Sequence, residues 1–340
     1  MNFEPETFLQ HWHAGQQTFT LRTSGSTGEP KPVTLTRAQM EASARMTGAA
    51  LGLSAGDSAL VCLSTDYIAG VMMLVRGAVL GLKLTIVPPS GNPLAQFSPD
   101  TRFDFTAMVP LQLQKIVSET PQKIGILNGM KAILVGGAPI SPALEKELQA
   151  VTAPIFHTYG MTETVSHIAL RRVNGDAAET VFRPLPGVTL GTDGRGCLTI
   201  SAPVTGGKTL VTNDRVDLRA DGSFVWLGRA DNVVNSGGVK IQLETVERAL
   251  AAAIFAETGE SRRVAVFSLP DERLGQRVAA AIEGTSFPAE TLSAIKKTVA
   301  AELPRFHPPR EYHFLPHLPE TRTGKIDRRA LAAVVSESPK

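Results

Sequence analysis

Residues 67–87 read YIAGVMMLVRGAVLGLKLTIV, the longest apolar run in the chain and long enough to cross a bilayer. Arg76 and Lys83 interrupt it, and Gly70, Gly77 and Gly81 weaken it as a lipid-facing helix. The run therefore predicts a buried helix followed by a buried strand, ended by Pro88 and Pro89. The segments around it repeat that alternation. Thr36-Arg-Ala-Gln39 carries a capping-box signature and opens a helix through Leu51, closed by the breakers Gly52 and Gly56. Residues 58–63 form a short apolar strand, 106–109 precede a helix from Leu111, and 131–135 precede Gly136-Gly137-Ala138 and a helix over 141–150. Strands alternating with helices at this spacing predict an α/β fold built on a mostly parallel, α-covered sheet.

Two further textures follow. Beyond Pro184, the segments 196–201, 209–212 and 223–227, separated by Gly and Asp turns, predict a small antiparallel β region. After Arg229, helices over 244–256 and 290–302 and strands over 263–268, 277–282 and 311–315 predict a compact α+β unit of about a hundred residues. The expected division is a large domain, 1–229, and a small one, 230–340. A chain of 340 residues with 43% hydrophobic content suits two cores.

Charge and cysteine content exclude several functions. The net charge is +2, with Lys and Arg interleaved among Asp and Glu, so no basic block exists to track nucleic acid. Cys62 and Cys197 cannot build a disulfide framework, and the N-terminal MNFEPETFLQ is acidic rather than signal-like. The expected location is a reducing cytoplasm, without a membrane span.

Near the start, LRTSGSTGEPK (residues 21–31) packs hydroxyls, glycines and a lysine into a segment unsuited to a core. Gly25 and Gly28 allow positive φ and bring backbone N–H groups to an anion, Thr23, Ser24, Ser26 and Thr27 add donors, and Lys31 supplies countercharge. The chemistry suits phosphate, although the Walker spacing is absent and the same composition also fits a plain loop.

Five strings matter together: TSGSTGEPK at 23–31, TYGMTET at 158–164, TND at 212–214, GRADNVVNSGG at 228–238 and TGKIDRRAL at 323–331. In this order the set resembles the adenylate-forming superfamily of acyl-CoA synthetases, firefly luciferase and peptide-synthetase adenylation domains. That resemblance implies an enzyme using ATP, Mg²⁺ and coenzyme A. A carboxylate is inert to thiols until its oxygen becomes a leaving group, and transfer of AMP achieves that. Attack on the α-phosphorus builds charge that hydroxyls, a lysine and Mg²⁺ stabilise.

The resemblance also implies roles for individual residues. The 23–31 loop, with Lys31, would cradle the β- and γ-phosphates. Gly136, Gly137 and Ala138 would line the adenine, and Thr158, Tyr159, Gly160 and Met161 would bind ATP, with Tyr159 against the base. Thr162 would bond the α-phosphate, Glu163 would hold Mg²⁺, and Asp214 would accept both ribose hydroxyls with support from Arg229. Lys325 would enter the active site during adenylation, while Gly237 and Gly238 flank the pantetheine tunnel. The two cannot occupy one place at once, so the small domain would rotate about a hinge at Asp231. Asn213 departs from the pattern, standing where the family usually carries Gly.

The acid is suggested by Arg76, a cation inside an apolar run that needs an anion from the core or from a ligand. Residues 65–70, including Tyr67, align with the family's acyl-pocket motif. Arginine six residues after Gly70 resembles the o-succinylbenzoate-CoA ligases of menaquinone synthesis, whose substrate carries a second carboxylate. Ser166 and His167 would face the aromatic acid, although His167 also reads as a satisfied core histidine. Another aryl- or acyl-CoA synthetase, an enzyme loading a carrier protein, and a non-catalytic nucleotide-binding relative are the alternatives. Only twenty-two residues precede Thr23 where the family usually has a long segment, so bare apolar surface and a homodimer are expected.

Overall fold

Proline at the first helical position and an apolar stripe at i, i+4 open the fold. In the computed structural model, which describes residues 4–22, 32–320 and 326–337, α1 (Pro5–His13) buries Phe8 and Trp12. Both rings pack on Phe19 of β1 (Thr18–Arg22), at centroid distances of 5.1 and 5.5 Å. β1 pairs antiparallel with β2 (Pro32–Thr36), Arg22 opposite Pro32. The string 23–31 lies outside the described residues. The expected capping box is present: the Thr36 hydroxyl accepts from Gln39 N–H, Gln39 Oε1 accepts from Thr36 N–H, and α2 (Arg37–Leu51) ends on Gly52 at φ 65°.

The alternation then runs β3 (Ser58–Val61), α3 (Ile68–Leu80), β4 (Lys83–Ile86), β5 (Phe105–Met108), α4 (Pro110–Glu119), α5 (Ile124–Asn128), β6 (Ala132–Val135), α6 (Pro142–Glu147), β7 (Ile155–Gly160), β8 (His167–Arg172) and β9 (Arg183–Pro184). These strands form one sheet in the order β4-β3-β5-β6-β7-β8-β9. The first five are parallel, and the pairs β7–β8 and β8–β9 are antiparallel, so that β8 alone runs against the rest. Both faces are covered, as a parallel sheet requires. Ala59, Val61, Phe105 and Leu134 share a core with α1, α2 and α3, while Leu60, Met108, Ile133 and Val135 share one with α4, α5 and α6. The apolar run 67–87 is thus α3 and β4: α3 is buried as expected, but the expected buried strand is corrected, because β4 is the edge strand, paired with β3 alone, and leaves Lys83 and Ile86 exposed. Among the described residues no helix is long and apolar enough to cross a membrane.

The predicted antiparallel region comprises β10 (Thr189–Thr192), β11 (Cys197–Ser201), β12 (Leu210–Leu218) and β13 (Phe224–Arg229), hydrogen-bonded in that order. The expected short strand 209–212 is corrected here: β12 continues through Asp214 to Leu218. Its alternation buries Thr212, Asp214 and Val216 together, so the Asn-Asp pair that reads as a turn sits inside a strand.

Beyond it lie β14 (Val233–Ser236), β15 (Val239–Gln242), α7 (Leu243–Thr258), β16 (Val264–Asp271), β17 (Gly275–Glu283), α8 (Ala289–Glu302), β18 (Glu311–Leu315) and α9 (Arg328–Glu337). Gly237 and Gly238, at φ 59° and 88°, turn the β14–β15 hairpin, which needs two positive φ values in succession. In the three-stranded sheet β16-β17-β18, successive residues divide between two cores: Val266, Val278 and Ala280 face α7 and α8, while Phe267, Ala279 and Ala281 face Leu331 and Val335 of α9. The buried clusters of residues 8–224 and those of residues 234–335 share no member.

Candidate active site

Four parallel strands, β3, β5, β6 and β7, present their carboxyl ends on one side of the sheet, where an open α/β sheet places its ligand crevice. Gly136 leaves β6 so close to β7 that a Cβ there would fall 2.2 Å from Thr158 Oγ1. Thr158 in turn donates to the Val135 carbonyl at 3.2 Å. Gly160 ends β7 under similar constraint, since a Cβ would lie 2.2 Å from the Ser166 carbonyl oxygen, and Gly160 pairs with His167 at a register shift. Both expected ATP-binding segments, 136–138 and 158–161, therefore meet at adjoining strand ends. His157 joins them through a hydrogen bond to the Ala138 backbone, and burial, helped by the Arg171 charge, pushes its imidazole down to about 4.

The expected adenine and ribose residues also meet. Tyr159, packed against the stacked pair Phe182 and Phe224, donates its hydroxyl to Asp214 Oδ2 at 2.8 Å. Burial and then the Asp214 charge hold that phenol well above its usual range. Thr212 Oγ1 accepts from Asp214 N–H at 3.0 Å, and Arg229 Nη1 stands 3.7 Å from Asp214 Oδ1. From there a polar chain reaches the expected hinge. Arg229 Nη2 lies 3.2 Å from Asp231, Asn213 Nδ2 lies 2.9 Å from each Asp231 carboxylate oxygen, and Arg195 Nη1 donates to Asn213 Oδ1 at 2.9 Å.

Arg76 sits in α3 at 2% exposure, and burial pushes its guanidinium down to about 10. Among the described residues its polar contacts are Ser166 Oγ at 2.8 Å from Nη2 and Met73 Sδ at 3.7 Å from Nη1; Nε has no partner and no carboxylate pairs with it. His167 Nδ1 is 3.3 Å from Ser166 Oγ, and Nε2 is 3.3 Å from Thr47 Oγ1. Burial, and secondarily the Arg76 charge, holds His167 well below its ordinary pKa, so the ring is neutral near pH 7. The loop delivering Ser166 is strained: buried Val165 has φ 65°, which a β-branched residue adopts only when its surroundings compel it. Thr164 Oγ1 supplies part of that compulsion, accepting from Met161 N–H at 3.0 Å and donating to a neighbouring carbonyl.

Other expected residues stand apart or lie outside the described residues. Thr162 opens a short 3-10 turn, in which Glu163 is exposed and makes no side-chain hydrogen bond among the described residues. Such a free carboxylate suits Mg²⁺, which keeps most of its waters and takes one or two carboxylates plus phosphate oxygens. No group of three His, Cys, Asp or Glu side chains forms a resident metal site among the described residues. Tyr67 caps α3 and is 54% exposed. The Gly237–Gly238 turn belongs to a separate hairpin, with Gly237 N–H donating to Leu274 O at 3.0 Å. Thr23, Ser24, Gly25, Ser26, Thr27, Gly28, Lys31 and Lys325 lie outside the described residues. The string that contains Lys325 is anchored beyond it, where Arg328 pairs with Glu247 of α7 at 2.6 Å and donates to the Val266 carbonyl.

Sequence reasoning passed over Thr47, His157, Arg195 and Thr212. Thr47 had a signal, since Ser43 and Thr47 lie four apart on the buried stripe Met40, Ala44, Gly48 of α2.

The comparisons accord with this geometry. The family described as AMP-binding enzyme matches residues 12–191, and the one described as AMP-binding enzyme C-terminal domain matches 253–325. A Mycobacterium tuberculosis protein named "Probable 2-succinylbenzoate--CoA ligase" is 31% identical over 361 residues, covering 96% of this chain and 88% of its own. A Bacillus cereus "2-succinylbenzoate--CoA ligase" is 26% identical, covering 98% and 73%. Among solved structures, an acyl-CoA synthetase (AMP-forming)/AMP-acid ligase II-like protein from Dyadobacter fermentans is 44% identical over 95% of this chain and 91% of its own, with a TM-score of 0.64. The o-succinylbenzoate coenzyme A synthetase of Bacillus subtilis, in complex with ATP and magnesium ion, shares the fold at a TM-score of 0.73, 22% identity, and coverage of 92% and 69%. The chain belongs to the AMP-binding enzyme family.

Proposed function

We propose that this chain is an ATP-dependent acid-thiol ligase that adenylates o-succinylbenzoate and passes the acyl group to coenzyme A. The observation that carries this reading is Arg76, a buried guanidinium with an unpartnered Nε and no carboxylate among the described residues. A buried cation costs several kcal/mol until an anion reaches it. An acid with a second carboxylate, remote from the reacting one, brings that anion and leaves its other end for chemistry. Family membership and the names of the relatives support the same substrate class.

In the first step a carboxylate oxygen attacks the α-phosphorus of ATP, and the bond to pyrophosphate breaks. In the second, the thiol sulfur attacks the acyl carbon and AMP leaves. Gly136–Ala138 and Thr158–Met161 would receive the adenine, Asp214 and Arg229 the ribose, Thr162 the α-phosphate, and the 23–28 loop with Lys31 the other two phosphates. Mg²⁺ held by Glu163 would offset charge on the leaving pyrophosphate. Lys325 would serve adenylation and the Gly237–Gly238 turn the pantetheine, with domains 1–229 and 230–340 rotating about Asp231. Tyr67, Ser166 and His167 would complete the acid pocket. Cys62 and Cys197 are both buried and free, which supports a reducing cytoplasm.

A panel of carboxylic acids scored for pyrophosphate release tests the reading. Release should respond to o-succinylbenzoate and not to acetate, benzoate or long-chain acids, with a CoA thioester as product. An equal response to benzoate, or transfer only to a carrier-protein thiol, would overturn it.

A further inference from the structure

We propose that Thr47 is a positioning residue for the acid pocket: by accepting the His167 Nε2 proton it sets a one-way chain of hydrogen bonds that leaves Arg76 facing the acid only with donors. The inference rests on Arg76 as the acid's partner. Thr47 is fully buried, and its single hydroxyl proton is spent on the Ser43 carbonyl at 2.9 Å. Toward His167 Nε2, 3.3 Å away, the oxygen has only lone pairs to offer, so the imidazole carries its proton on Nε2. Nδ1 is then a bare acceptor, and Ser166 Oγ, 3.3 Å from it, must donate its proton there. The lone pairs of Ser166 are thereby turned to the Arg76 Nη2 donor at 2.8 Å.

The chain has a direction with a chemical consequence. Each hydroxyl dipole points its negative end toward Arg76, and no hydroxyl proton competes with the guanidinium for an incoming carboxylate. The neutral imidazole is part of the arrangement, because a cationic ring would need both nitrogens as donors and would take Ser166 from its orientation. The opposite tautomer would set a bare Nε2 against Thr47 Oγ1 unless the threonine abandoned Ser43. A second hydroxyl on the same helix face, Ser43 Oγ, is buried with no partner among the described residues, so α2 carries more hydroxyl groups here than its own packing uses.

Thr47→Val keeps the shape and removes the acceptor. The KM for o-succinylbenzoate should rise about tenfold, the effect of one net hydrogen bond, while kcat and the KM for ATP stay unchanged. Thr47→Ser should restore the original KM. Nitrogen NMR of histidine-labelled, acid-free protein, with His167 identified by its loss in His167→Gln, should show the Nε2–H tautomer in the parent chain and lose it in Thr47→Val. This parent measurement decides the matter even if the valine variant fails to fold. A parent ring protonated on Nδ1, or on both nitrogens, overturns the proposal. An unchanged KM in Thr47→Val beside a raised one in Arg76→Ala also overturns it while leaving the acid assignment standing. An unchanged KM in both variants overturns the two together.

Discussion

Replacing Arg76 by methionine should make the ligand-free protein more stable and the acid-bound protein less so. The folded chain holds the guanidinium at about 10, more than two pH units below the ordinary arginine range, with burial as the cause, and it is 2% exposed. At about 1.36 kcal/mol per pH unit this is a cost of about 3 kcal/mol for keeping the charge. Because the folded-state pKa is depressed, the native chain binds fewer protons than the unfolded one. The cost is full below about pH 10 and fades as the pH rises beyond it toward the ordinary arginine range. Methionine is similar in length and flexible, and its neighbours Met72, Met73 and Leu74 are fully buried. Losing the charge-assisted bond to Ser166 costs about 1–2 kcal/mol, which leaves a net gain of about 1–2 kcal/mol. At roughly 2 °C per kcal/mol, the melting temperature should rise by about 2–4 °C. With o-succinylbenzoate at a hundred times its Kd, the parent should gain about 2.7 kcal/mol from binding. The variant should gain almost nothing. Calorimetry with and without the acid reads both quantities. A ligand-free variant less stable by about 3 kcal/mol or more would refute the reasoning, because that loss marks a broken buried ion pair and hence a protein carboxylate on Arg76.

His157 makes stability depend on acidity. Its folded pKa of about 4 lies below the ordinary 6.5, so its contribution is complete above pH 6.5 and is lost as the pH falls toward 4. By pH 4.5 the loss should be roughly 2–3 kcal/mol, and His157→Gln should shrink the difference between the unfolding free energies read from denaturant titrations at pH 7.5 and 4.5 by that amount. An undiminished difference would mean that the ring does not titrate as described. At the expected hinge, Asn213→Gly removes both bonds to Asp231. Since that pair is exposed, global stability should change by less than about 1 kcal/mol, whereas amide exchange over residues 231–235 should quicken. Exchange equal to the parent's would show that the asparagine holds nothing.

Much of this molecule is legible because the relevant forces are local. The capping box at Thr36 and the positive φ of Gly52 involve neighbours a few residues apart, so their chemistry lies within a single window. The central strands β5 and β6 are buried at every position because both faces of the sheet are covered there, and β18 lies over 311–315 as expected. The strand that carries Thr158 and Tyr159 was less visible. Residues 155–160 run into Gly160 and the Thr-rich string 158–164, which blurs a strand signal carried by Ile155, Phe156 and Tyr159; they form β7 because β6 and β8 supply its hydrogen-bonding partners. For the same reason the Asn-Asp pair at 213–214 sits in β12, where Tyr159 gives the buried carboxylate a donor.

The amino-acid sequence by itself determined that a cation lies in an apolar helix, that parallel strands alternate with helices, and that five polar strings recur in a family order. It left open whether Arg76 meets a core carboxylate or a ligand, and whether His167 is a core residue or part of a site. Only the tertiary structure decided that Arg76, Ser166, His167 and Thr47 adjoin, joining α3 and α2 to the start of β8. Periodicity reports which face of an element is buried. It does not report what that face meets across ninety or more residues, because chain crossovers and the packing of whole elements set such contacts.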